Sequence, residues 1–184
     1  MIDKLLEESD TRMNQLIEHL KLELGKLSTG RASLALLDGL KVDYYGTPTL
    51  LSQVATLGVP DSSTITIQPW ESSLLKSIEK AIQSSMLGLN PANDGSVVRL
   101  KIPPLTGERR DQIIKILKKY EEESKVAIRN VRREFNDKIK KLEKEKVPKD
   151  DCRKGQEKLQ KITDEHINMV NQIAQAKEES IRTT

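Results

Sequence analysis

Aromatic side chains are scarce in this chain, with one Trp, one Phe and three Tyr among 184 residues. Rings are the bulkiest core material, so their scarcity argues against a thick globular core and for slender, aliphatic packing. It also argues against an aromatic platform for stacking unpaired bases, so single-strand binding modes are not expected. Tyr120 and Phe135 fall on the apolar seam of a helix, and Trp70 follows a strand, where burial is expected. The pair Tyr44-Tyr45 stands at a strand end and reads as structural. A single cysteine, Cys152, excludes an intramolecular disulfide and suits a reducing compartment. The two histidines, His19 and His166, form no cluster with it, so neither a metal site nor a nucleophile–base pair is expected. Gly30-Arg31-Ala32-Ser33 lacks the earlier glycine and the lysine of a phosphate-binding loop. No apolar run approaches the roughly 20 residues of a membrane span. The start, Met1-Ile2-Asp3-Lys4, resembles neither a secretory nor an Arg-rich transit peptide, so the expectation is a cytoplasmic, non-membrane protein. No catalytic residue, metal ligand or cofactor is expected.

Charge is plentiful instead: 32% of residues are Asp, Glu, Lys or Arg, with a net charge of +3. Its distribution is uneven. Residues 106–147 carry 14 basic and 9 acidic side chains, whereas residues 31–105 carry 6 of each and residues 148–184 carry 7 of each. Residues 1–30, with 4 basic and 6 acidic, are net acidic. Within the basic segment, Ile113, Leu117, Tyr120, Ser124, Ala127, Val131, Phe135, Ile139 and Leu142 recur at steps of three or four. This spacing predicts one long helix with a packing seam. Lys125, Arg129, Arg132, Arg133 and Lys140 fall on its opposite and flanking faces. A helix that packs on one side and presents arginine on the other suits phosphates and the shape of folded RNA. The plainer reading of the same residues is a solvated helix laced with ion pairs, and for Lys125 and Lys140 that reading is preferred.

Two further segments share the seam pattern. Ile2, Leu6, Ser9, Met13, Leu16, Leu20, Leu24 and Leu27 mark one, and Leu159, Ile162, His166, Met169, Ile173 and Ala176 mark the other. Pro148, with Asp150 and Asp151 behind it, suits the first turn of the last helix. Three helices of this kind predict an elongated bundle. Residues 31–105 change period. Leu40, Val42 and Tyr44 alternate, as do Ile65 with Ile67, and Val98 with Leu100 and Ile102. Gly46-Thr47-Pro48, Val59-Pro60-Asp61 and Asn93-Asp94-Gly95 read as turns, and a helix from about Ser72 to Met86 stops near Gly88. The fold class is therefore α+β: a discontinuous three-helix bundle, residues 1–29 and 106–184, with a small β/α/β domain inserted at 30–105. Linkers near 28–31 and 103–106 join the two. Gly30 can take a positive φ, Pro103 and Pro104 stiffen the return, and Thr106 can cap the next helix.

The stretches Thr29-Gly30-Arg31-Ala32-Ser33, Val42-Asp43-Tyr44-Tyr45-Gly46-Thr47-Pro48-Thr49, Glu79-Lys80-Ala81-Ile82, Leu87-Gly88-Leu89-Asn90-Pro91, Pro103-Pro104-Leu105-Thr106 and Val126-Ala127-Ile128-Arg129-Asn130-Val131-Arg132-Arg133 with Asn136-Asp137-Lys138 carry a family likeness. In order and spacing they resemble the bacterial ribosome recycling factors. The resemblance runs over essentially the whole chain. It implies an L-shaped monomer with a hinge at Thr29, Gly30, Arg31 and Pro103, Pro104, Leu105, Thr106. It further implies binding to the post-termination 70S ribosome across the A and P sites, and subunit splitting with elongation factor G and its GTP hydrolysis. Arg129 and Arg132 match positions that contact large-subunit rRNA, with Arg133 and Lys125 beside them. Two positions depart from the family pattern. Ser28 stands where relatives commonly carry a basic residue, and Gly107 stands where they often carry an acidic one. The residues alone are also compatible with two other classes: a coiled-coil scaffold or holdase, and a small enzyme, for which no perturbed catalytic group is visible.

Overall fold

A computed structural model describes residues 1–183. Four α-helices and six strands follow in the order α1 (Ile2–Gly25), β1 (Lys41–Tyr44), β2 (Thr47–Leu50), β3 (Ala55–Asp61), β4 (Thr64–Pro69), α2 (Leu75–Ser84), β5 (Pro91–Asn93), β6 (Val98–Lys101), α3 (Gly107–Lys144) and α4 (Lys149–Arg182). No helix of the described residues is long and apolar enough to cross a membrane. The chain divides into two compact units, Met1–Leu24 with Ile114–Glu179, and Gly25–Ile113 with the residues from Ser180 on.

The first unit holds α1, α4 and most of α3. Contacts fix their directions. Arg12 and Glu8 on α1 meet Glu134 and Lys138 on α3, so these helices run antiparallel. Lys118 and Arg132 on α3 meet Glu178 and Gln160 on α4, again antiparallel. The α3 seam is buried as expected at Ile113, Leu117, Val131, Phe135, Ile139 and Leu142, and half-buried at Tyr120, Ser124 and Ala127. Ile128 is buried as well, because it lies about 100° from Ala127 on the inner side. On α4 the expectation for Met169 and Ala176 does not hold: both are exposed, and Val170 and Ala174 take the inner positions. The period is kept but its phase shifts by one or two residues, to a line that includes Cys152, Gly155, Thr163 and Ile181. Buried His166 ties α4 to α1, with ring nitrogens 2.7 Å from the Ile162 carbonyl and 3.1 Å from the Asn14 amide oxygen. Thr106 caps α3 as expected, its hydroxyl accepting from the Arg109 N–H at 3.2 Å, and Glu108 supplies a first-turn acid behind Gly107.

The second unit contains an antiparallel hairpin, β1–β2, and an antiparallel sheet in the order β3-β4-β6-β5. Leu75, Ile78 and Ile82 of α2 share one core with Val42, Ile65, Ile67, Val98, Leu100 and Ile102. Three sequence turns are corrected here. Tyr45 and Gly46, both with positive φ, make the first hairpin turn, so Thr47 and Pro48 already belong to β2. Val59-Pro60-Asp61 ends β3, an edge strand whose register slips between Gly58 and Asp61; a proline is tolerated where no ladder N–H is required. Asn93 closes β5, leaving Asp94-Gly95 to turn. The helix expected from Ser72 to Met86 is shorter, ending at Ser84 rather than near Gly88. Trp70 is a fourth correction, being 67% exposed. Ile65, Ile67 and Pro69 point into the core, so the next residue along this extended segment falls on the outer side.

Candidate nucleic-acid interface

Rigidity comes first in building the α3 surface. Phe135, fully buried, is flanked by Arg12, 5.5 Å from its ring centroid, and by the Lys138 ammonium at 4.1 Å. Both cations hold Glu134, Arg12 through two bonds of 2.7 and 2.8 Å and Lys138 at 3.0 Å. These partners, Lys138 first, hold the Glu134 carboxyl below the ordinary range. The charges of this clasp are spent on one another, and they bind α1 to the basic helix.

The predicted basic residues divide into two kinds. Arg129 and Arg133 are exposed, as is Lys140. At about 100° per residue these three fall within some 40° of one another, on the side of α3 away from the seam. Arg132 sits to one side, about 60° from Arg129 and about 100° from Arg133, and is half-buried, with its guanidinium donating to Gln160 Oε1 at 3.1 Å. Gln160 in turn donates to Asp164 at 2.8 Å. Arg132 is thus held in one orientation at the α3–α4 border. Lys125 differs. It is half-buried, 2.8 Å from Glu121 and 3.2 Å from Glu122, and these carboxylates, Glu121 foremost, raise its pKa. Its charge is internally matched, so the outward field comes from the arginines.

The expected linker residues all lie in the second unit. Gly30 has φ +80°, as anticipated, and its N–H donates to Ser28 Oγ at 3.2 Å. Ala32 and Ile102 donate backbone bonds to Ser62 and Ser63, so both linkers are pinned to the β3–β4 turn. Pro103, Pro104, Leu105 and Thr106 line a cavity of about 260 Å³ with Ser28 and Arg109. Arg31 is exposed, and Thr29 is half-buried. Cys152 is buried, which pushes its thiol pKa up and makes it inert. Among the described residues no group of three or more His, Cys, Asp or Glu is placed to hold a metal.

Sequence reasoning missed the outer face of the four-stranded sheet. Thr64, Thr66 and Gln68 of β4 point outward there, beside Arg99 and Lys101 of β6. The signal was present in the alternation of β4, which places Trp70 in phase with its outward residues.

These features define an α+β protein, a three-helix unit with a directed basic face and an α/β unit spliced into its chain. The ribosome recycling factor family matches residues 20–181, and this chain belongs to it. It is 53% identical to the ribosome-recycling factor of Nitratidesulfovibrio vulgaris (strain DP4), across 98% of this chain and 97% of that one. Against the Brevibacillus brevis factor the identity is 50%, across 98% of each. The solution structure of a ribosome recycling factor superposes with a TM-score of 0.81 at 39% identity, covering 100% of this chain and 98% of the other. The T. thermophilus factor, placed with E. coli elongation factor G on the E. coli post-termination complex, matches with a TM-score of 0.68 at 46% identity, across 98% of each chain.

Proposed function

We propose that this protein binds the post-termination ribosome across the A and P sites and, with elongation factor G and GTP hydrolysed by that partner, splits it into subunits. It works as a cytoplasmic monomer, carries no chemistry of its own and needs no cofactor. The observation that carries this reading is full-length similarity to recycling factors, one of them placed on the post-termination complex beside elongation factor G. The geometry of α3 supports the assignment of the anchor. Arg129 and Arg133 stand clear of the bundle, while Arg132 is held at its border by Gln160. Together they offer planar, permanently charged forks to large-subunit rRNA phosphates. Lys125 contributes by keeping its helix face ordered through Glu121. The linkers Thr29–Arg31 and Pro103–Thr106 serve as the hinge.

Sedimentation of purified 70S ribosomes with this protein tests the reading. Co-sedimentation is expected without the GTPase, and free subunits are expected once elongation factor G and GTP are added. Arg132→Glu and Arg129→Glu should each abolish co-sedimentation at moderate salt with helical circular dichroism unchanged. Binding should also fall steeply with ionic strength. Ribosome binding that survives both reversals would remove α3 as the anchor. Binding to other proteins with little salt dependence would favour a scaffold.

A further inference from the structure

The open side of the second unit's sheet is built unlike a merely solvated surface. The inner side rests on α2 through Ile65, Ile67, Val98 and Leu100. On the outer side, Thr66 pairs across the strands with Arg99, and Thr64 with Lys101. Thr56 pairs with Gln68 on the other flank, and Gly58 pairs with Thr66. Gly58 has no room for a side chain, since a Cβ there would stand 2.9 Å from Thr66 Oγ1, so the floor of the sheet stays low between its neighbours. Trp70 ends the row. Its indole N–H donates to Thr56 Oγ1 at 3.0 Å, which fixes the ring by one edge while 67% of the residue faces solvent.

Positive charge predominates at the outward strand positions. The only carboxylate within the four strands, Asp61, is spent on the β3–β4 turn, accepting from the backbone and hydroxyl of Ser63. At the far turn, Asp94 accepts from Ser96 and Val97 and approaches Arg99 only to 3.7 Å. The outward strand positions therefore present two cations, a row of hydroxyl and amide groups, and one oriented ring. From Trp70 to Thr64 the row spans about 20 Å, at roughly 3.4 Å per residue.

We propose that this sheet face is a second RNA-binding surface, one that takes an unpaired RNA strand. A base stacks on Trp70, Arg99 and Lys101 take phosphates, and Thr56, Thr66 and Gln68 face the sugar and base edges. Charge and chemistry both choose the occupant. A basic protein segment would be repelled by Lys101 and by Arg99, the latter only partly offset by Asp94 at 3.7 Å, and an apolar one would bury the hydroxyls without partners. A single strand offers phosphates for the cations and a π-face for the ring. This surface lies in a different unit from the α3 arginines, and its role does not depend on theirs.

Trp70 is the sole tryptophan of the chain, so its fluorescence reports directly on the site. The full-length protein is titrated with deca-adenylate, with a twelve-base-pair RNA duplex, and with heparin. Deca-adenylate is expected to quench the emission saturably, with a log–log salt slope of about −1.4 for two phosphate contacts to a single strand. The duplex and heparin, which present no free base, leave the emission nearly unchanged. The double variant Arg99→Glu/Lys101→Glu abolishes quenching, whereas Arg129→Glu/Arg132→Glu on α3 leaves it intact. With labelled deca-adenylate, Trp70→Ala binds about tenfold more weakly by anisotropy. Trp70, Arg99, Lys101 and Arg129 are exposed and Arg132 is half-buried, and an unchanged melting temperature certifies each variant as folded. Absent quenching, quenching that survives Arg99→Glu/Lys101→Glu, or an equal response to heparin overturns the proposal. Loss of quenching in the α3 variant overturns it too, by moving the contact to the other unit.

Discussion

At the scale of single residues, two positions in the helical unit show how closely its packing is tuned. Gly155 lies where α4 crosses the start of α1, and a Cβ there would stand 2.6 Å from Ile2 Cγ2 and 3.7 Å from Ile139 Cδ1. Gly155→Ala improves helix propensity by about 1 kcal/mol, yet it forces Ile2 aside. Overpacking of this kind costs about 1–3 kcal/mol, so a lower melting temperature is expected, and adding Ile2→Ala should recover part of the loss. A higher melting temperature for Gly155→Ala alone would mean that α1 yields freely at its first turn. Lys177 shows the opposite fault. It continues the inner line of α4 beyond Val170 and Ala174, half-buried, and burial pushes its ammonium pKa down. A lysine whose folded pKa is depressed destabilises the fold while charged, and that penalty fades as pH rises toward the unfolded value near 10. Lys177→Met should therefore raise stability by about 1 kcal/mol at neutral pH, with the gain shrinking as pH rises toward the unfolded value. A gain that stays constant to pH 10 in denaturant titrations would assign it to packing alone.

At the scale of elements, legibility in the sequence tracked how many faces of an element are constrained. The α3 seam runs through about eight turns, so its period averages out local exceptions, and the two-sided helix is plain from Ile113 to Leu142. The seam of α4 has more small and polar members. Thr163 and His166 are buried, and Gly155 carries no side chain to count, so the choice between Met169 and Val170 lay beyond hydropathy. Strands β1, β4 and β6 were legible because one face alternates cleanly into the core. The others were not. β2 carries no fully buried side chain, β5 is three residues long, and β3 contains Pro60, a residue that argues against a strand unless the strand lies at an edge. Trp70 was misplaced for a related reason. Its place after a strand suggested burial, whereas the phase set by Ile65, Ile67 and Pro69 turns it outward. Of the candidate site, the arginines were legible as residues. Their division was not, because it depends on which side of α3 Gln160 of α4 approaches.

At the scale of the whole molecule, the two units have separate cores and a chain that passes between them at Leu24–Gly25, Ile113–Ile114 and Glu179–Ser180. Phe135 anchors one core and Ile67 the other, both fully buried. Phe135→Ala removes the ring between Arg12 and Lys138 and should cost about 3–5 kcal/mol. Ile67→Ala should cost about 2–5 kcal/mol in the sheet unit. If the units are stabilised independently, calorimetry of Ile67→Ala will show an early transition that consumes strand signal and leaves the helical one in place. Phe135→Ala will instead advance the helical transition. The functional consequences should separate in the same way. If the proposed α3 anchor is right, ribosome binding should survive Ile67→Ala at temperatures where the helical unit remains folded, while the proposed subunit release with elongation factor G and GTP should be lost with the sheet unit. Both variants unfolding in one shared transition would instead show that the three crossings couple the units into a single cooperative body. A motion of one unit on the other would then have to bend that body rather than turn at its linkers.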